Sequence, residues 1–156
     1  MIRLFVFGTL KKSFALHGAC LDGATYLGAC RTVKAYPMFI AGPWFAPMML
    51  DEPGDGLRVS GELYEIDPPR LAAIDAVESV GKPGNFRISI EVEPLEGGRS
   101  CPAFAYAKSE SLARPVHSAF LADYQDRRFI PPWKREPARL AAGRSKAVCA
   151  ENLRPD

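Results

Sequence analysis

Residues 86–94 alternate strictly, with Phe86, Ile88, Ile90 and Val92 on one side and Arg87, Ser89, Glu91 and Glu93 on the other. A period of two held over that length marks a strand with one buried face, because helical apolar residues return every three or four positions instead. Glu96-Gly97-Gly98 then reads as a hairpin-type turn, and Cys101 to Ala107 as the partner strand. Three more strands are predicted. Ile2 to Phe7 is apolar except for Arg3, and Thr25 to Ala35 follows. In Leu57 to Ile66, Leu57, Val59, Gly61, Leu63 and Glu65 share one side, while Tyr64 and Ile66 take the other. Strands outnumber helices and most joints are short enough for antiparallel pairing. The expected class is α+β, with a curved sheet or small barrel.

Helices are predicted where capping chemistry allows them. Asp67 can cap and Pro68 suits the first helical position, so a helix is expected from Pro68 to about Val80, stopped by Gly81 and Pro83. Shorter helices are expected over Ser13–Leu21, with Ser13 as cap, and over Pro115–Asp126, with Val116, Ala119, Phe120 and Tyr124 near one face. Tyr36-Pro37 and Gly42-Pro43 punctuate the middle of the chain, before a short apolar run, Met48-Met49-Leu50. Phe129 to Trp133 reads as an extended segment laid over the body. The expected organisation is one domain over residues 1–133 and a basic, partly ordered tail over 134–156. A chain of 156 residues hides roughly 70% of its unfolded surface, enough for a core without staples.

Charge and cysteine usage exclude several classes. The net charge is +2, but from Arg127 onward eight Lys/Arg face three Asp/Glu. A basic tail can touch nucleic acid, yet no interleaved aromatics offer base stacking, and the expectation is a solvated segment. Cys20, Cys30, Cys101 and Cys149 are widely spaced, and His17 and His117 show no ligand-like spacing. No metal or other cofactor is expected, and the cysteines read as small buried hydrophobes. No apolar run approaches membrane length and the start lacks a leader pattern, so a soluble, cytoplasmic protein with reduced thiols is expected.

Two features point to chemistry. The first is the junction Phe7-Gly8-Thr9-Leu10-Lys11, where a buried strand meets a glycine expected to turn at dihedrals other residues resist. The run reads either as a plain turn or as a nest of free amides for an anion such as a carboxylate. The second is Glu78. It lies four residues after Ile74 and seven after Leu71, on the apolar stripe of its helix, with Asp75 beside Ile74. A carboxylate there must be paired, take up a proton or line a cavity, or else snorkel to solvent or bridge to Arg87. A desolvated carboxyl facing an amide nest describes acid–base chemistry on a small carboxylate-bearing substrate.

In order and spacing these residues resemble the gamma-glutamyl cyclotransferase-like family, nearest its gamma-glutamylamine cyclotransferase branch. The resemblance rests on Phe7-Gly8-Thr9-Leu10-Lys11, Tyr36-Pro37, Pro47, Val59-x-Gly61-Glu62-Leu63-Tyr64 and Leu71-x-x-Ile74-Asp75-x-x-Glu78, then Phe86-Arg87, Val92 and Tyr106. It covers about the first 107 residues. It implies a small mixed β-barrel flanked by helices. It also implies a reaction in which the substrate's α-amine attacks its own γ-carbonyl, forming 5-oxoproline and releasing an amine. By position, Glu78 would be the acid/base, and Phe7, Gly8, Thr9 and Leu10 would bind substrate. Phe7 departs from the family's usual Tyr and lacks its hydroxyl. The stretch Phe45 to Met49 is read either as the leaving-group side of the pocket or as core, and Phe129 to Trp133 as a lid or as packing. The alternative to an enzyme is a binding module for a small carboxylate ligand.

Overall fold

The computed structural model describes residues 1–136. The expected basic tail therefore lies almost wholly outside the described residues. Five strands close into a barrel in the order β1 (Ile2–Val6), β5 (Leu57–Ile66), β2 (Thr25–Tyr36), β6 (Asn85–Pro94), β7 (Cys101–Lys108), and β7 returns to β1. Every contact is antiparallel except β1–β7, which is parallel with Leu4 level with Phe104. The small mixed barrel that the family resemblance implies is the observed architecture. Closure removes exposed sheet edges, and so small a barrel is filled by its own side chains.

The apolar run of β1 serves two cores, which is why it does not alternate. Phe5 and Phe7 point into the barrel with Cys30, Val59, Ile90, Val92, Ala103 and Ala105. Leu4 and Val6 point outward, where Tyr64, Ile66, Leu71, Ile74 and Tyr106 meet them beneath the helices. Strand β5 follows the same logic, with Val59 inside and Tyr64 and Ile66 outside. In β6 the inward face holds for Ile90 and Val92, but Phe86 at its start is exposed. Where β2 bulges between Arg31 and Ala35, the buried Thr32 hydroxyl accepts the Val59 N–H at 2.9 Å, so that donor keeps a partner.

Gly61 sets the barrel's width. A Cβ there would stand 2.3 Å from the Val6 carbonyl oxygen and 2.7 Å from Cε1 of Phe5. Neither backbone nor a packed ring can yield cheaply. Gly61→Ala is expected to cost about 2–3 kcal/mol and to lower Tm by roughly 5–10 °C. Differential scanning calorimetry checks it, and an unchanged Tm would contradict the packing.

Helix α2 (Pro68–Val77) starts as expected, with the Asp67 carboxylate accepting the Arg70 N–H at 2.8 Å and Pro68 in the first turn. It ends three residues earlier than expected, with Glu78 as its C-cap. Two helical expectations fail. Of Ser13–Leu21, only α1 (His17–Leu21) is helical; Leu16, not Ser13, precedes it, and Ser13 has φ 70°. Residues 115–126 form no helix, because their backbone groups bond elsewhere. They run as a strap along a hairpin, β3 (Met38–Ala41) and β4 (Ala46–Met49), which the sequence reading missed. His117 N–H donates to Ile40 and Leu121 N–H to Met38, while Ala122 O accepts from Ser60. Val116 and Phe120 are consequently exposed, and only Tyr124 of the expected face reaches the core. Phe129 and Trp133 pack against the outer cluster.

No helix among the described residues is long and apolar enough to cross a membrane. Among the same residues, no group of three or more His, Cys, Asp or Glu side chains could hold a metal ion. Cys20 and Cys30 are buried and free, as expected, and Cys101 is free and half-buried.

Candidate active site

The parallel pairing of β1 with β7 decides where the site lies. Parallel neighbours deliver their C-terminal ends to the same rim. Leu4 of β1 stands level with Phe104 of β7, and both strands run on to the same rim. A cleft opens at that rim, with about 400 Å³ of empty space including its open mouth. Phe5 through Leu10 form one wall, Pro47, Met48 and Met49 a second, and Glu78, Tyr106 and Lys108 a third. All five residues singled out from the sequence, Phe7, Gly8, Thr9, Leu10 and Glu78, therefore border one cavity.

The loop after β1 is held from behind. Lys11 N–H donates to Gly8 O at 3.0 Å, and Leu16 N–H to Thr9 O at 2.9 Å. The Lys11 side chain is buried and turns away from the cleft, donating to Tyr124 O at 2.8 Å and Asp123 Oδ1 at 3.1 Å. Lys12 N–H is taken by Glu62 Oε1 at 2.8 Å. The N–H groups of Gly8, Thr9 and Leu10 donate to no acceptor among the described residues. Three consecutive free amides beside a cavity are the ingredients of an anion site.

Gly8 is there for a different reason than expected. It is not among the glycines with positive φ. A Cβ at this position would instead lie 2.5 Å from Cγ of Pro47. The glycine lets two walls of the cleft touch; it is a matter of space rather than of dihedral freedom.

Glu78 sits at the end of α2 with its N–H bonded to Ile74 O at 2.9 Å, so its backbone is fixed. One fifth of its side chain is exposed. Burial raises its pKa above the usual carboxylate range, and Lys108 partly opposes that rise. The expected alternative partner, Arg87, is engaged elsewhere: it pairs with Asp75, whose other oxygen accepts the Tyr106 hydroxyl at 2.7 Å. Glu78 faces Lys108, with Nζ 3.7 Å from Oε2. Lys108 was missed in the sequence because it lies 30 residues from its partner. Its signal was its place two residues after Tyr106, on the same face of β7.

Of the stretch Phe45–Met49, Pro47, Met48 and Met49 line the cleft. Phe45 instead stacks on His117, ring centroids 4.2 Å apart. Phe129 and Trp133 are not among the lining residues, so packing, and not a lid, describes that segment here.

The profile of the family described as gamma-glutamyl cyclotransferase, AIG2-like, matches residues 4–126. The likeness thus runs further than the first 107 residues, through the strap. A gamma-glutamylaminecyclotransferase of Bos taurus is 36% identical over 128 residues, 78% of this chain and 74% of that protein. One from Rattus norvegicus is 35% identical, over 77% of this chain and 89% of its own. The crystal structure of an AIG2-like protein from Mus musculus superposes with a TM-score of 0.67 at 31% identity, covering 81% of this chain and 97% of that one. With a closed mixed barrel, a cleft at the β1–β7 rim and this extent of likeness, the chain belongs to the gamma-glutamyl cyclotransferase, AIG2-like family.

Proposed function

We propose that this protein is a cofactor-independent cyclotransferase. Its substrate is a gamma-glutamyl amine or a short gamma-glutamyl compound. Glu78 takes a proton from the substrate's α-ammonium. The freed amine attacks the γ-carbonyl carbon and closes a five-membered ring. As the bond to the leaving nitrogen breaks, Glu78 returns that proton to it, then relays the ring nitrogen's second proton to the released amine, so 5-oxoproline and an ammonium depart with no net proton change. The free amides of Gly8, Thr9 and Leu10 hold the α-carboxylate, and Phe7 packs against the chain of the glutamyl group. One observation carries this reading: a carboxyl whose proton affinity burial raises shares a cleft with three unused N–H donors. A raised pKa suits a group that must both accept and donate near neutral pH. Both reacting ends belong to one molecule, so holding it bent supplies much of the acceleration.

A panel of gamma-glutamyl amines, gamma-glutamyl dipeptides and glutathione, assayed for released 5-oxoproline, tests the proposal. Turnover of at least one of them is expected; none would contradict it. Phe7 favours a second reading. It lines the cleft with no hydroxyl where the family usually carries one, which suits a binding module that has lost catalysis. In both readings 5-oxoproline raises Tm, by about 2.7 kcal/mol of added stability at one hundred times Kd. Only the enzyme turns a gamma-glutamyl compound over. No melting shift with either 5-oxoproline or glutamate would remove both.

A further inference from the structure

Lys108 ends β7 at the cleft, and its ammonium is held by three oxygens. Nζ lies 2.6 Å from Asn85 Oδ1, 3.2 Å from the Glu78 carbonyl oxygen and 3.7 Å from Glu78 Oε2. The first two contacts are hydrogen bonds and the third is an ion pair, so the ammonium is anchored twice and still faces the carboxylate. The Glu78 carbonyl lies at the C-terminal end of α2, where unpaired carbonyls gather partial negative charge. A carboxylate is disfavoured at that end and a cation favoured. The same lysine therefore caps the helix and answers the carboxylate that the helix end would otherwise repel.

The other groups facing Glu78 leave this role to Lys108. From α1 comes the Cys20 thiol, pushed up to about 12 chiefly by burial, so it stays neutral. From β7 comes the Tyr106 hydroxyl, raised chiefly by burial and committed to Asp75. On α2 itself, Asp75 is answered by Arg87. Arg70, near Cys20, donates to the Cys20 carbonyl at 2.9 Å. Across the cleft, the loop's Lys11 is turned toward Asp123.

We propose that Lys108 is a positioning residue for the reaction: anchored by Asn85 and by the end of α2, its ammonium aims the Glu78 carboxylate into the cleft and keeps it in the base form that the first proton transfer needs. The proposal rests on the cyclotransferase reading. Asn85 extends it by one link, because its amide is itself fixed by the Pro83 carbonyl at 3.2 Å.

The test follows the Glu78 carboxyl directly, by carbon-13 NMR titration of the full chain, with its resonance assigned by its loss in Glu78→Gln. Lys108→Met is expected to move the titration up by roughly one pH unit. The acidic limb of kcat/KM should move with it, and Lys108→Arg should restore both. An unmoved titration in folded Lys108→Met overturns the proposal even if the enzyme is active. If Lys108→Met does not fold, Asn85→Ala keeps the ammonium and removes one anchor: a smaller upward shift supports the proposal, and none overturns it. A shifted titration in a protein that turns over no gamma-glutamyl compound removes the reaction and, with it, the positioning role, while leaving the ion pair measured.

Discussion

Glu78→Gln is expected to lower kcat by roughly 100- to 10,000-fold while leaving Tm nearly unchanged. The amide occupies the same volume and can still accept from Lys108, but it cannot take a proton from the substrate's ammonium. The backbone at this position is tied by the N–H of residue 78 donating to Ile74 O, a bond independent of the side chain. The fold therefore has little reason to respond. Nor does removing a half-buried charge at a helix C-terminus weaken the fold, since the dipole opposed that charge. Steady-state kinetics with a thermal melt on the same sample check both halves. Activity near the wild-type level would contradict the acid–base role. Joint loss of activity and Tm would make Glu78 structural.

Gly8→Ala is expected to be the second most damaging change. The added Cβ would lie 2.5 Å from Cγ and 3.2 Å from Cβ of Pro47. A proline ring is too stiff to swing aside, so the β1 loop and β4 must part, and those are two walls of the cleft. Overpacking of this kind costs about 1–3 kcal/mol. The amides of Gly8, Thr9 and Leu10 move with the loop, and a displacement near 1 Å is enough to reduce kcat/KM roughly 100-fold. Because the conflict is with one partner, Gly8→Ala combined with Pro47→Ala should recover much of both losses. Residues in contact couple non-additively, and the double-mutant cycle measures that coupling. Simple additivity of the two changes, or a harmless Gly8→Ala, would contradict the close approach.

How much of this was legible in the sequence depends on how far apart the interacting residues are. The Asp67-Pro68 helix start and the alternation of β6 are local, and both read correctly apart from the exposed Phe86. Glu78 was legible for the same reason: Leu71 and Ile74 are buried, and the helical spacing carries the carboxylate to their side. What failed depended on distant partners. Val116, Phe120 and Tyr124 have helical spacing, but their segment spends its hydrogen bonds on β3, some 77 residues earlier in the case of His117 and Ile40. The β3–β4 hairpin was hidden by Gly42-Pro43 between two strands of four residues each. Glu78 was offered Arg87 as partner because Arg87 is near in sequence, yet Asp75 takes that guanidinium and the cation at the cleft comes from β7. Gly8 shows a subtler limit. A glycine needed for its dihedrals and one needed for its missing Cβ look identical in a sequence, and only Pro47 across the cleft tells them apart.

Phe7 sits where the barrel core meets the cleft. The ring packs with Phe5, centroids 6.3 Å apart, at the edge of the barrel core. Its hydrophobic contribution there needs no hydroxyl.

The most direct measurement of the central claim is the fate of a gamma-glutamyl amine incubated with the protein in oxygen-18 water. Attack by the substrate's own amine should release 5-oxoproline and amine in equal amounts, with no solvent oxygen in the product. Release of glutamate carrying oxygen-18 would mean that water is the nucleophile, and the bent-substrate mechanism built on Glu78 and the Gly8–Leu10 amides would be wrong.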